Sequence, residues 1–247
     1  MRKNKKALRR LLAVLLAVGI IFGAVAIYAS IYYEADEAEI TSLISSSSVT
    51  MEEKDGFTAF TPRESTAVGF IFYPGGKVEH KAYYPLMNAL AEYGILSIVV
   101  KMPLKLAVLN SNAADAVRAH YPEITDWYVG GHSLGGAMAA SHASKNENSY
   151  KGVVLLGAYS TKDLSGTSLS VLSVYGSCDG VMNREKYDSC LENMPSDFTE
   201  IVIEGGSHAY FGAYGEQKGD GVASVSPSEQ IIITAERICE FFGINAR

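Results

Sequence analysis

Trp127-Tyr128-Val129-Gly130-Gly131-His132-Ser133-Leu134-Gly135-Gly136 runs from an apolar, strand-like segment into a stretch of small residues with helical character, and the reading of the fold rests on it. Within it, Gly131-His132-Ser133-Leu134-Gly135 matches G-x-S-x-G. The pattern fixes only three positions, so its context matters more: a predicted strand over 127–131 precedes it and a predicted helix over 134–144 follows. A sharp strand-to-helix turn needs glycine on either side, because a Cβ there meets neighbouring backbone. Such a turn lifts the Ser133 hydroxyl above the sheet edge and aims the N–H groups after it at an acyl oxygen. Gly130 and Gly136 leave further room for the strand and helix to pack closely.

Outward from this turn, short apolar runs alternate with amphipathic stretches. Residues 49–51 and 57–60 flank Lys54-Asp55-Gly56, a hairpin signal. Runs at 68–73, 95–100, 153–156, 169–175 and 198–203 read as strands. Helical spacing covers 83–93, 104–119, about 184–194 and, opened by Pro227, 227–242. Strands alternating with helices imply crossover connections and a mostly parallel sheet covered on both faces. No internal repeat is visible, so 49–247 reads as one α/β domain.

A serine hydroxyl is a weak nucleophile until a base takes its proton. Five histidines are available. His132 is inside the turn, His142 sits on the following helix at the wrong height, and His80 and His120 precede the nucleophile. His208, in Glu204-Gly205-Gly206-Ser207-His208, follows the strand 198–203 at its carboxyl end, the edge where open α/β sheets place their sites. The acid belongs on the same edge. Gly176-Ser177-Cys178-Asp179-Gly180 follows another strand and offers Asp179, with Asp163 as the alternative. The order Ser133, Asp179, His208 is that of the α/β-hydrolase arrangement.

With those residues in place the chain resembles the α/β-hydrolase superfamily, through Gly-His-Ser-Leu-Gly-Gly at 131–136, Tyr-Gly-Ser-Cys-Asp-Gly at 175–180 and Gly-Gly-Ser-His-Ala at 205–209. More closely, Phe72-Tyr73-Pro74-Gly75-Gly76-Lys77-Val78-Glu79, Lys101-Met102-Pro103 and Phe211-Gly212-Ala213-Tyr214-Gly215 resemble a bacterial subgroup of dienelactone-hydrolase-like proteins. The resemblance spans about 57–243. It departs from true dienelactone hydrolases in having serine where they have a cysteine nucleophile, and Pro74-Gly75-Gly76 stands in place of the His-Gly motif of lipases. It implies an α/β-hydrolase fold without a large cap and an enzyme cleaving carboxylic esters. An acyltransferase or amidase would use the same triad, and a non-catalytic surface binding protein is the alternative from another class. No metal constellation or phosphate-cradling loop is evident, and no cofactor is expected.

The mechanism needs an oxyanion hole. One donor is expected to be the N–H of Leu134, the residue after the nucleophile, and the other to follow the strand 68–73, at Gly76 or Gly75. Only 12 residues separate Leu156 from Leu169, too few for a cap domain. The long segment 209–226, with Tyr210, Phe211, Tyr214 and Asp220, is a candidate cover, and Glu79, Lys101 and Gln217 are candidate border residues. In an oxidising exterior, Cys178 and Cys190 are placed to form a disulfide that steadies Asp179, while Cys239 reads as a buried thiol.

The chain has 247 residues, 48% hydrophobic and 19% charged, a balance that can bury a core and excludes a disordered chain. Its formal charge of −6 argues against a nucleic-acid binder. That average conceals an asymmetry. Arg2, Lys3, Lys5, Lys6, Arg9 and Arg10 form a basic tail over 1–10, and no acidic residue precedes Glu34, so 34–247 keeps 15 basic against 27 acidic residues, a net −12. Between them lies an uncharged run of 23 residues, 11–33. As a helix it would span ~35 Å, enough to cross a hydrocarbon core. The basic tail predicts a cytoplasmic N-terminus and an extracytoplasmic domain. Two readings stand: an uncleaved membrane anchor, in which Gly19 and Gly23 form a GxxxG, or a secretory signal cleaved near Ala24-Val25-Ala26. Residues 34–48, with four acidic side chains and then Ser45 to Ser48, read as a polar stalk.

Overall fold

The computed structural model describes residues 14–20, 23, 25–44, 48–64 and 66–244. The chain divides into two units, Met1–Tyr32 and Tyr33–Arg247. In the first, residues 14–20 and 25–30 are helical, with Leu16, Ile20 and Ile27 exposed. Among the described residues no helix is long and apolar enough to cross a membrane. The basic tail, and residues 11–13, 21, 22 and 24 of the expected span, lie outside the described residues.

The second unit is built on eight strands: β1 (Val49–Lys54), β2 (Phe57–Pro62), β3 (Val68–Tyr73), β4 (Leu96–Val100), β5 (Asp126–His132), β6 (Gly152–Leu156), β7 (Ser170–Gly176) and β8 (Phe198–Ile203). They lie in the order β1-β2-β4-β3-β5-β6-β7-β8. β1 and β2 form the expected hairpin, closed by Asp55 and Gly56 between the paired Lys54 and Phe57, and β2 runs antiparallel to β4. Every other pairing is parallel.

Side chains alternate across a strand, so β3 feeds two cores. Phe70 and Phe72 point to one face, where they pack with Leu86, Leu90 and Ile238. Ile71 and Tyr73 point to the other, with Val129, Ala139 and Leu155. Covering on both faces explains why β4 and β6 are buried at every position instead of alternating apolar and polar. The first face is closed by the helices Tyr84–Glu92 and Pro227–Phe241. The latter starts with Pro227 at its first turn and a capping box in which Ser226 and Glu229 satisfy each other's backbone N–H. The second face takes the helix Leu134–Ala143, whose alanines let it lie close to the sheet.

The structure differs from the sequence reading at several points, among them the helix expected over about 184–194, which runs over Arg184–Ser189 and gives way to a 3₁₀ turn at Leu191–Asn193. The helix expected over 104–119 is broken: short 3₁₀ turns at Pro103–Lys105 and Ala107–Asn110 precede a helix over Ala113–Ala119 only. Leu104 and Lys105 adopt left-handed φ of 49° and 59°. The Tyr73 hydroxyl, which donates to Ser111 O and accepts the Ala114 N–H, pins the start of the remaining helix to the sheet. Residues 34–44 of the expected stalk pack on the domain, and 45–47 lie outside the described residues. Asp36 caps a helix over Glu37–Leu43 whose Ile40 is buried in the domain, and the Tyr33 N–H donates to Lys77 O. Tyr33, the last residue of the expected anchor, belongs to the domain and packs its ring on Tyr214. Finally, Cys178, Cys190 and Cys239 are all free thiols, so the disulfide between Cys178 and Cys190 is not formed.

Candidate active site

β5 ends at His132, and the chain turns sharply at Ser133, with φ 52° and ψ −123°. A non-glycine residue held there costs of order 1–3 kcal/mol and persists only where its surroundings fix it. They do so here: the Ser133 N–H donates to Leu156 O at 2.9 Å, and Ser133 O accepts from Ala137 N at 3.2 Å. The turn fits because a Cβ on Gly135 would run into the carbonyl oxygens of Tyr73 and Pro74, and one on Gly131 into that of Tyr73. Serine at the start of a helix ordinarily caps it, but Ser133 makes no cap bond. Its hydroxyl is left for other work.

Asp179 and His208 follow β7 and β8, on the same sheet edge as Ser133. His208 Nδ1 lies 2.7 Å from Asp179 Oδ2, and the two side chains are 1% and 2% exposed. The other carboxylate oxygen accepts from the N–H groups of Val181 (2.9 Å) and Met182 (2.8 Å), so the plane of the acid is fixed. An Nδ1–H donated to Asp179 leaves the lone pair on His208 Nε2, which is buried and has no hydrogen-bond partner. Ser133 and His208 line one cavity of about 360 Å³, and no charged side chain stands in its walls.

The other candidates are engaged elsewhere. Asp163 is exposed and turns onto Ser165. His142 bonds to the Tyr150 hydroxyl, His120 to Ala116 O, and His80 lies against Tyr84. His132 is buried, its ring 4.5 Å from that of His208. Burial first, and then the neighbouring His208, hold its pKa well below the usual histidine value, so it stays neutral.

The Gly75 N–H donates to the Tyr83 hydroxyl at 3.1 Å, and that hydroxyl lies 2.8 Å from His132 Nδ1. Of the two glycines expected to donate to an oxyanion, Gly75 is therefore occupied. The Gly76 N–H makes no hydrogen bond among the described residues, and Gly76 lies against Leu134: a Cβ there would stand 3.0 Å from Leu134 Cδ2. Leu134 is the first residue of its helix, where N–H groups have no intrahelical acceptor.

Glu79, Lys101 and Gln217 do not line the cavity: they accept from Ala35 N, pair with Glu53 and contact Tyr214 respectively. The segment 209–226 contributes no wall either. It packs behind His208. Asp220, inside it, accepts the backbone N–H groups of His208, Ala209 and Gly180. Buried Gln230 bonds to both the N–H and the C=O of Ser207. The sequence reading missed these roles for Asp220, Gln230 and Tyr83, and the unusual length of the loop after His208 was the one signal.

A strand-ordered α/β sheet with a strained serine turn at its carboxyl edge and a buried histidine–carboxylate pair beside it defines a class. The sequence profile of the alpha/beta hydrolase family matches residues 69–232, and the chain belongs to that family. In structure it is similar to Est1E from Butyrivibrio proteoclasticus, with a TM-score of 0.58 and 15% identity over 79% of this chain and 98% of that one. It is also similar to a protein from Thermoplasma acidophilum described as a predicted CIB-like hydrolase, with a TM-score of 0.57 and 16% identity over 78% and 99%. At these identities the likeness is one of fold. No curated protein matches the chain in sequence.

Proposed function

We propose that the domain is a serine hydrolase that cleaves carboxylic esters through an acyl-enzyme, with Ser133 as nucleophile, His208 as base and Asp179 as the acid that orients it. The observation that carries this reading is the unpartnered Nε2 of His208 in the cavity that Ser133 also lines, with Nδ1 held at 2.7 Å by Asp179.

As the Ser133 oxygen attacks the ester carbonyl, His208 Nε2 takes its proton, and Asp179 steadies the imidazolium that forms. The oxyanion turns to the N–H groups of Leu134 and Gly76, each such donor being worth ~3 kcal/mol in the transition state. Collapse breaks the ester bond, and the departing alkoxide takes the proton from Nε2. Water then attacks the acyl-serine while Nε2 accepts its proton, and the carboxylic acid leaves as Ser133 recovers its hydrogen. The motifs at 72–79, 101–103 and 211–215 support placement in a dienelactone-hydrolase-like subgroup, with a serine in place of the cysteine nucleophile of true dienelactone hydrolases. Ser133→Ala should abolish turnover of a short activated ester with the fold intact. Retained turnover would remove Ser133 from the role.

The same reading includes a membrane anchor. Six basic residues followed by 23 uncharged ones support an N-terminus in the cytoplasm and a domain outside it. The full chain should then resist alkaline extraction from membranes, and the domain should be open to protease from outside. Recovery of a soluble protein beginning near residue 27 would identify a cleaved signal instead.

A further inference from the structure

The cavity beside Ser133 carries a statement about the substrate. Its walls are mainly Leu134, Ala137, Met138, Ala158, Val181 and Met182, none of them charged, with an Asn and a Thr among the rest. At about 360 Å³ it holds on the order of ten heavy atoms, taking ~30 Å³ for each. A carboxylate or phosphate on the bound group would find no Lys or Arg in these walls, and setting a charge against an apolar wall costs desolvation that nothing there repays.

Val181 and Met182 have a second role. Both residues line the cavity, while their backbone N–H groups, at 2.9 and 2.8 Å, hold Asp179 Oδ1. Whatever packs against these two residues also restrains the loop that sets the acid. Both arms of an ester meet at the carbonyl carbon that Ser133 would attack, but only the acyl arm stays through both steps of the reaction, and the cavity is taken as the place of that arm.

Resting on the serine-hydrolase reading above, we propose that the substrate is an ester of an uncharged, apolar carboxylic acid of short to medium chain length, and that filling the cavity tightens the Val181–Met182 clamp on Asp179. Binding energy from the acyl chain then appears partly in the chemical step. That raises kcat as well as lowering KM.

The test uses the full chain and phenyl esters from acetate to decanoate, with alkyl acetates as the alcohol series and phenyl hydrogen adipate against phenyl hexanoate as the charge pair. Expected are a rise in kcat/KM of about fourfold per added methylene until the cavity fills, with part of it in kcat. The adipate half-ester should be slower than the hexanoate by about a hundredfold. Met182→Ala, which keeps the backbone N–H, should move the optimum to longer acyl chains. A flat acyl series, dependence on the alcohol chain instead, a gain confined to KM, or equal turnover of the charge pair would overturn the proposal. A fluorophosphonate probe separates the two levels. Ser133 labelled alongside any of those results overturns the substrate assignment and leaves the hydrolase reading standing. No labelling and no ester turnover overturns both.

Discussion

Asp220 accepts the backbone N–H of His208 at 3.0 Å, from a position twelve residues further along the chain. The same oxygen accepts from Gly180 at 3.1 Å, and the other takes the N–H of Ala209 at 2.8 Å. Gly180 follows Asp179 directly, so one carboxylate fastens the loop of Asp179 to the loop of His208, the proposed acid and base. It touches neither the His208 imidazole nor the cavity beside Ser133, and acts by position.

Asp220→Ala removes both acceptor oxygens, and with them all three of these hydrogen bonds, at once. Hydrogen bonds to a charged group contribute ~1.5–3 kcal/mol each, part of which water recovers at this half-buried site. The expected outcome is a kcat lower by about tenfold or more, a smaller change in KM, and a stability loss of about 2 kcal/mol in urea titration. Asp220→Asn, which keeps one oxygen, should recover part of the activity. Equal kcat in wild type and Asp220→Ala would show that the acid and base loops hold their spacing without it.

How far this was legible in the sequence depends on the range of the interaction. Ser133, Asp179 and His208 each follow a strand, and strand ends are local features marked by apolar runs and glycines. The parallel sheet follows from the same alternation. Asp220 and Tyr83 are different, because their partners lie 40 and 49 residues away at Gly180 and His132, and nothing local distinguishes them from a surface aspartate or a core tyrosine. The helix expected from 104 failed for a related reason: Leu104, Val108 and Leu109 are exposed and of these two 3₁₀ turns only Ala107 is buried, so the apolar spacing there marks no buried helix face, which periodicity alone cannot tell.

Tyr83 links the loop expected to bind the oxyanion to the serine turn. Tyr83→Phe would leave the Gly75 N–H and His132 Nδ1 buried and unpaired, at ~1–3 kcal/mol each. Because an oxyanion exists only in the transition state, loosening this loop should lower kcat about tenfold while KM stays nearly constant. Steady-state kinetics on one activated ester tests it. A change in KM alone would point to the substrate pocket rather than to the oxyanion loop.

Gly157 follows β6 with φ +51°, and a Cβ there would stand 2.9 Å from His208 Nδ1 and 3.2 Å from Asp179 Oδ2. Gly157→Ala therefore meets two obstacles, a left-handed backbone costing roughly 1–2 kcal/mol and a push on the acid–base pair. Both stability and kcat should fall, with kcat lower by more than about tenfold in protein that is still fully folded. Normal kcat in a destabilised variant would mean that the pair moves aside without loss.

Acid should weaken the fold before carboxylates are involved. Burial, and then Lys101, push the pKa of His80 down to about 4 from 6.5, and burial also lowers His132 and His142. Each is neutral in the folded protein at a pH where the unfolded chain takes up a proton. The unfolded state thus binds more protons between about 6.5 and 4, and stability falls as pH drops through that window. Carboxylates such as Glu229 and Glu53, whose folded pKa is lowered from 4.5, lose their contribution only further down. Urea midpoints measured from pH 7.5 to 4.5 should decline in the wild type, and His80→Gln should decline less steeply over the same interval. An unchanged slope in that variant would remove His80 from the account and leave the loss to His132 and His142.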